Sequence, residues 1–593
     1  MNSKSNIENL PAVRCALSFP ASADVGAARF NATFANPIAI HAAYELNAVK
    51  AALKAAEATT ARGHWAVGFV SYEAATGFDS ALQTAPADGT TPLVWFAEFT
   101  APAIVEAAEP TGTFALGQWQ SDTDAASFTR AVEAVRADII EGRFYQVNFT
   151  TRLAAGFVGD ALALYRALQK AQPDGYQMFI DAGDFKVLSV SPELFFSLKD
   201  GVITTQPMKG TAPRGTDAAQ DAALAHALTQ SPKERAENVM IVDLLRNDVS
   251  RIAREHTVKV PYLCALTALP TVWQMTSTIQ ATIKNDVSVC DIFAALFPCG
   301  SITGAPKVEA MKAISTLENA PRGLYCGALG YMAPHGAACF NVAIRSVWLR
   351  GSKAQYGVGS GITHDATVAG EAAELIYKAR FLHRASKPFS LFETMRLDNG
   401  APHLLAAHIA RLKNSARHFQ FMPLIDADIA HALAALQPQH AIGVWRVKLS
   451  ASADGKVSAT AAALEAVPQH AMVQLATTSV SQHDEFLQHK TTRRETYEAH
   501  APAANSGIWD TLLWNEAGEL TEFTRANVVL ELDGARYTPP LSCGLLNGVM
   551  REQWLAQGVM QERVLYRHDL DRATKIWWIN SLRGAFEVTL QTR

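Results

Sequence analysis

The chain has no apolar run approaching about 18 residues, so its sequence offers no helix of membrane-spanning length. Its opening residues, Met1-Asn2-Ser3-Lys4-Ser5-Asn6, lead into no apolar segment of the kind a secretory signal carries. Seven scattered cysteines (Cys15, Cys264, Cys290, Cys299, Cys326, Cys339 and Cys543) form no CxxC pair and no metal-ligand spacing. An odd, dispersed set reads as reduced thiols. Basic charge is not in excess: the net charge is −4, which leaves no overall footprint for nucleic acid. Internal repeats and long low-complexity stretches are lacking too. These absences exclude membrane-spanning, disulfide-stapled and nucleic-acid-coating classes. They lead to the expectation of a soluble cytoplasmic protein with no membrane or nucleic-acid partner. What remains is a chain with 49% hydrophobic and 18% charged residues, the balance of a packed globular protein. Its 593 residues exceed one ordinary core and predict two or more domains.

Periodicity places the elements coarsely. Residues 65–72 and 93–99 read as strands. A helix over about 126–142 carries Phe128, Val132, Val135 and Ile139 at helical spacing, and 143–150 then alternates as a strand. Ser231-Pro232-Lys233-Glu234 predicts a helix start with a capping box, the helix running to about Ala253. One of its faces would hold Glu237, Ile241, Leu244 and Asp248, and an acid leading an apolar stripe is costly to bury without a partner. A second helix, about 367–384, sets Glu371, Glu374 and Lys378 along one face; a surface Glu374–Lys378 pair fits the same spacing. Just upstream, Gly357-Val358-Gly359-Ser360-Gly361-Ile362-Thr363 reads as a glycine loop ahead of a helix start, where main-chain N–H groups approach an anion. A carboxylate-bearing substrate would fit there. The pattern breaks near 385–388, which gives domains over 1–385 and 388–593. Beyond the break, 389–400 reads as two strands around a turn and 403–419 as a helix.

Lys209 draws attention first. Held in Gln206-Pro207-Met208-Lys209-Gly210-Thr211, it reads as a turn residue after the strand 202–205, its amine aimed in a fixed direction. Glu193, in Ser191-Pro192-Glu193-Leu194-Phe195-Phe196, is a carboxylate at a strand entrance among apolar neighbours. Together they suggest an amine nucleophile and a group that moves protons. A solvated turn lysine and a strand-end glutamate fit those two residues as well.

Further segments narrow the choice. Tyr145-Gln146-Val147-Asn148, the two segments above, Glu237 through Asp248, Gly300 through Lys307, Asn341 through Arg345, the 359–361 glycines and Glu371 through Arg380 follow in order. This series, across roughly 60–384, resembles the chorismate-utilising enzyme family, which includes anthranilate, isochorismate and aminodeoxychorismate synthases. Lysine at position 209 resembles the aminodeoxychorismate synthases; the other two usually carry alanine there. The resemblance implies an α/β (α+β) fold with large antiparallel sheets layered with helices. Under it Lys209 adds to the ring and Glu193 is the general acid. Glu237 and Glu374 bind Mg²⁺, while Thr205, Tyr325, Arg345, Gly359, Ser360, Gly361 and Lys378 hold the substrate. Gln274 departs from the family's usual histidine and cannot carry a proton, which puts any acid–base role there in doubt.

After the break, His408-Ile409-Ala410-Arg411-Leu412, Lys490, Leu520 through Asn527 and Leu545 through Arg551 follow in order. They resemble the fold-type IV pyridoxal-phosphate enzymes: aminodeoxychorismate lyase and the branched-chain and D-amino acid aminotransferases. The resemblance implies a smaller two-lobed domain in which Lys490 holds pyridoxal 5'-phosphate covalently and moves a proton. Glu522 would pair with the pyridine nitrogen. Arg411 and the Gly548-Val549 N–H groups would bind the phosphate, with Thr394 nearby. An exposed helix arginine and a basic loop lysine fit Arg411 and Lys490 taken singly.

Joined, the two resemblances imply that chorismate and ammonia become 4-amino-4-deoxychorismate, and that loss of pyruvate then gives 4-aminobenzoate for folate synthesis. No glutaminase pattern is found, so ammonia is expected from a separate glutamine amidotransferase subunit. A homodimer through the pyridoxal-phosphate domain is compatible with this. Two rivals stand: an anthranilate synthase joined to an amino acid aminotransferase, and an inactive N-terminal binding or docking module.

Overall fold

The computed structural model describes residues 12–22, 28–103, 112–214, 218–268 and 272–591. The opening hexapeptide considered above lies outside them. The chain divides into two compact units, Met1–Lys387 and Pro388–Arg593. Among the described residues no helix is long and apolar enough to cross a membrane.

Two ten-stranded sheets form the first unit. One runs Gly304–Ala305, Gln146–Gly159, Lys353–Ile362, Ser346–Arg350, Lys186–Ser191, Tyr176–Asp181, Arg14–Pro20 and Arg29–Ala35 along its main path. The other begins Met208–Pro213, Val272–Thr282, Val202–Gln206 and Leu194–Lys199, then continues through Ala338–Val342. Their described pairings are all antiparallel. Phe19, Phe34, Met178 and Val187 from the first sheet meet Val67, Phe69, Trp95 and Leu329 from the second. The second sheet's other face buries Phe196, Ile203 and Phe340 against the helices Val49–Ala58, Pro232–Ser250 and Val289–Leu296. The first sheet's other face packs on Ala161–Ala171 and Val368–Ser386. The result is helix, sheet, sheet, helix, four layers deep.

The second unit holds a four-stranded sheet around Leu391–Asp398 and an eight-stranded sheet around Ile508–Trp514, each with its own core. Both units therefore have the α/β architecture expected, the smaller one in two lobes.

Several local expectations change. Residues 357–361 form no loop: they lie inside the strand Lys353–Ile362, and the next helix starts only at Val368, capped by Thr367. Lys209 likewise sits on a strand, Met208–Pro213, rather than in a turn. Residues 389–400 give one long strand, Leu391–Asp398, before the turn at Asn399 and Gly400. Gln146–Thr151 does not alternate but is buried throughout, because packed layers cover both faces. The helix Pro232–Ser250 stops short of Ala253 and buries Asn238, Ile241, Val242, Leu245 and Val249, leaving Glu237 and Leu244 on the flank of that stripe. Half of its capping box forms: Ser231 Oγ accepts from Glu234 N at 3.3 Å, whereas Ser231 N donates to Leu228 O.

Candidate active sites

Lys209 owes its direction to an extra residue in its strand. Met208 pairs with Thr276 and Thr211 with Gln274, so three steps on one strand face two on the other. Gly210 absorbs this bulge with φ +88°, a conformation that favours glycine. The amine then points to the neighbouring sheet: a side-chain carbon at Gly361 would stand 3.1 Å from Lys209 Nζ and 2.3 Å from Gln146 Nε2. Burial lowers the pKa of the lysine, opposed by the Glu237 carboxylate and, more weakly, by Glu374 and Glu193.

Glu193 is buried between the strands Lys186–Ser191 and Leu194–Lys199. Ser301 Oγ donates to its Oε1 at 2.6 Å. Burial nevertheless pushes the carboxyl up to about 7, against the Ser301 hydrogen bond and the charges of Lys209 and Lys378. An amine that desolvation makes easier to deprotonate and a carboxyl that is protonated near neutrality thus act on each other. That pairing suits nucleophilic and acid–base work.

Glu237 and Glu374 approach from separate helices. Burial raises Glu237, and Glu374 is among the charges that add to the rise. Glu374 itself is held low: burial works against this, but Lys378 Nζ, 2.7 Å away, outweighs it. Lys378 also donates to Gly359 O at 2.8 Å, so the expected pair forms yet does not stand alone at the surface. One turn earlier, Glu371 is buried with its Oε2 unpartnered, and burial raises its carboxyl. Among the described residues no three His, Cys, Asp or Glu side chains form a metal-holding group. Two carboxylates with an orphaned third oxygen nearby still suit Mg²⁺, which takes one or two carboxylates and keeps its waters.

The strand 353–362 supplies room rather than a nest of free amides. Carbons added at Gly357 and Gly359 would meet the Tyr325 ring carbon at 2.1 Å and Thr150 Cγ2 at 2.7 Å. Ser360 points to the opposite side, where its Oγ is buried and unpartnered. Thr205 is buried with an unpartnered hydroxyl as well. Arg345 has φ +51°, donates to Gln172 Oε1 at 2.8 Å and lies 5.3 Å from the Phe381 ring. Gln274 accepts from Thr211 Oγ1 at 3.0 Å and donates to Gly210 O at 2.8 Å.

The second unit gathers another charged centre. Lys490 lies between two short helices, Glu485–Gln488 and Glu495–Ala499, with Nζ 5.0 Å from the Phe392 ring. Burial lowers its amine to about 8, helped by the Arg411 charge and opposed by Glu393. Glu522, on the strand Leu520–Phe523, is buried and accepts from Tyr497 OH at 2.7 Å and from Leu546 N at 3.2 Å. Burial pushes it up to about 7 despite those bonds. Arg411 clasps Glu393 with two nitrogens and donates to Asn547 O at 2.9 Å. Asn547 directly precedes Gly548, the N-cap of the helix Val549–Ala556. A guanidinium beside a helix start is a donor set that suits a phosphate. A carbon at Gly548 would come within 1.9 Å of Asn527 Oδ1, so only glycine fits. Thr394 lies on the same face of its strand as Phe392, two residues on.

Reading the sequence alone assigned no site role to Gln146, Ser301, Glu371, Glu393, His408, Tyr497, Asn527 and Ser581, although Glu371 stood on the helix face it singled out and several of the others lay inside its motifs. Glu393 is the largest omission. It is fully buried, taking both Arg411 and His408 Nδ1, and His408 Nε2 meets Ser581 Oγ at 2.9 Å. His408 and Arg411, three apart on one helix, give the only local signal of it.

Comparison with known proteins follows the same division. Residues 97–384 match the family described as chorismate binding enzyme, and residues 390–590 match amino-transferase class IV. Aminodeoxychorismate synthase component 1 of Klebsiella aerogenes is 37% identical over 294 residues, 49% of this chain. The chain spans 64% of that relative's own length. Anthranilate synthase component 1 of Methanothermobacter thermautotrophicus is 32% identical over 335 residues, covering 53% of this chain and 72% of the relative. In fold, the chain is similar to the crystal structure of anthranilate synthase component I from Streptococcus pneumoniae. That match has a TM-score of 0.51 and 24% identity, and covers 64% of this chain and 94% of the other.

Proposed function

Because this chain belongs to the chorismate-binding enzyme family and carries a region matching the class IV amino-transferases behind it, we propose that it makes 4-aminobenzoate in two steps. The first unit converts chorismate and ammonia to 4-amino-4-deoxychorismate and water. The second removes pyruvate and leaves the aromatic amine. The observation that carries the first step is the half-buried Lys209, its amine lowered by desolvation, in electrostatic reach of a Glu193 carboxyl raised to about 7.

Lys209 attacks C2 of the ring, both ring double bonds shift by one position, and the C4 hydroxyl leaves as water with a proton from Glu193. Ammonia then bonds to C4, both double bonds return, and the C2–N bond to Lys209 breaks. The Glu193 carboxylate takes up the proton released as the new amine forms, which restores both groups. Glu237 and Glu374 would hold Mg²⁺, which would bind a substrate carboxylate and offset its charge. Thr205, Tyr325, Arg345, Lys378 and the 359–361 strand would hold the rest of the substrate. Ammonia would come from a glutamine amidotransferase partner; the name of the Klebsiella relative, a component 1, supports this.

In the second unit, Lys490, Glu522, Arg411 and the Gly548-Val549 N–H groups would hold pyridoxal 5'-phosphate, with Thr394 nearby. That group supplies an electron sink at the carbon bearing the amine. Lys490, lowered to about 8, can take the proton from that carbon as the enolpyruvyl group leaves its neighbour. Glu522 would face the ring nitrogen, steadied by Tyr497. The amine installed by the first unit is the group that the second must engage, which supports elimination over amino-acid transamination. Seven free, buried cysteines support a cytoplasmic setting. Pairing of the second unit into a homodimer belongs to the same proposal, and sedimentation would measure it.

The test uses the whole chain with chorismate, ammonium, Mg²⁺ and pyridoxal 5'-phosphate. 4-Aminobenzoate and pyruvate should form in equal amounts. Anthranilate, or amine transfer that depends on an added α-keto acid, would overturn the proposal.

A further inference from the structure

Gln274 is not needed by the chemistry just described, yet it sits where the Lys209 strand is irregular. The bulge between Met208 and Thr211 interrupts the ladder to the strand Val272–Thr282. A bulge leaves its extra residue without a regular ladder partner. Gln274 fills this gap with its side chain: Nε2 donates to Gly210 O at 2.8 Å and Oε1 accepts from Thr211 Oγ1 at 3.0 Å. One amide therefore clamps the two residues that follow Lys209. Gly210 holds φ +88°, and a side-chain carbon there would stand 3.0 Å from Glu234 Oε2 and 3.3 Å from Met275 Cβ, so the bulge is closely packed at this residue.

We propose that Gln274 is a positioning residue for Lys209, holding the bulge in the conformation that turns the amine towards Gly361, Glu237 and Glu193. Only the bond to the Gly210 carbonyl demands a donor at 274; the Thr211 hydroxyl both donates and accepts and can meet either kind of group. Glutamine serves both at every pH. Methionine has nearly the same length but no donor, so it would fill the space without holding Gly210 O.

The inference rests on the proposed role of Lys209 for its kinetic consequence, but its structural half can be read without turnover. The full chain and its Gln274→Ala and Gln274→Met variants would be treated with acetic anhydride from pH 7 to 11. The acetylation rate of Lys209 would be followed by peptide mass spectrometry, with kcat and KM for chorismate measured in parallel at saturating ammonium. Q274A should change the Lys209 acetylation rate several-fold at unchanged melting temperature. It should also lower kcat about 10- to 100-fold, the loss expected from misplacing a reacting group by a fraction of an ångström to one ångström, with little change in KM. Q274M, which keeps the length of the side chain but cannot donate to Gly210 O, should match Q274A in both readouts. Unchanged Lys209 acetylation in either folded variant would overturn the inference. If the parent chain forms no product, the proposed reaction falls instead, and the acetylation rates alone still decide whether Gln274 sets the lysine. A Q274A chain that does not fold leaves the decision to Q274M.

Discussion

Ser301 donates its hydroxyl to Glu193 Oε1 at 2.6 Å, at a carboxyl that burial has pushed up to about 7. The bond favours the ionised form, so it limits the rise. Removing it should send the pKa higher. Ser301→Ala is expected to move the alkaline limb of the amination rate upward by about one unit, as the loss of a hydrogen bond to a charged group allows. If Glu193 delivers the proton to the leaving hydroxyl, the variant keeps activity at a pH where the parent has begun to lose it. A rate–pH profile between 6 and 9 measures the shift; a limb that stays in place would remove Glu193 from the proton transfer.

Lys209→Ala should abolish amination, by at least about 10³-fold, since losing a covalent nucleophile costs that much or more. Conversion of supplied 4-amino-4-deoxychorismate by the second unit should continue at the parent rate. Lys209→Arg should fail equally, because a guanidinium does not become neutral in the working range. The two assays on one preparation separate a lost nucleophile from a misfolded chain.

How much of this was legible beforehand differs from residue to residue. Lys209 could be found because proline and glycine flank it, but the flanking glycine makes a bulge rather than a turn, and nothing local distinguishes the two. The extra residue is defined only against the partner strand at Gln274 and Thr276. The 357–361 glycines misled in the same way. Glycine-rich sequence is poor strand material, yet here it is a strand because Tyr325, Thr150 and Gln146 occupy the space where side chains would be. Tertiary demand wrote those glycines. Glu393 was given no role because an acid in a strand that also carries Arg396 and Asp398 shows no local sign of being buried; its partners Arg411 and His408 lie on the next helix. Long helices with a clear apolar period, such as Ala125–Ile140, could be read nearly to their ends.

The Glu393–Arg411 pair should make the second unit sensitive to acid. Burial opposes ionisation of Glu393, but the Arg411 charge and the bonds from His408 and Arg411 outweigh it and hold the carboxyl at about 2. A folded value below the ordinary 4.5 means that the stability it contributes is present above about pH 4.5. That contribution is lost as pH falls towards 2. Glu393→Gln removes one partner of a buried ion pair and should destabilise the second unit by about 3–5 kcal/mol at pH 7. The difference from the parent should shrink below pH 4.5. Denaturant melts of both chains at pH 3, 5 and 7 would measure it, and a difference independent of pH would show that the pair is not ionised.

Gly361→Ala tests the meeting of the two sheets at the first centre. The methyl group would lie 2.3 Å from Gln146 Nε2 and 3.1 Å from Lys209 Nζ, and the backbone at 361 has no positive φ that would add strain of its own. Both clashing atoms are ends of flexible side chains, so the fold can yield while the amine moves. The expected outcome is a melting temperature within a few degrees of the parent and amination slowed by about 100-fold, the cost of displacing a reacting group by about one ångström. Gly351→Ala makes the control: its φ is +53° and nothing lies within 4 Å, so any loss there is conformational strain without a clash. Its amination rate should stay near that of the parent even where its melting temperature drops. Should G361A keep full activity, Lys209 would not need the position in which the structure holds it, and the nucleophile would have to be sought elsewhere.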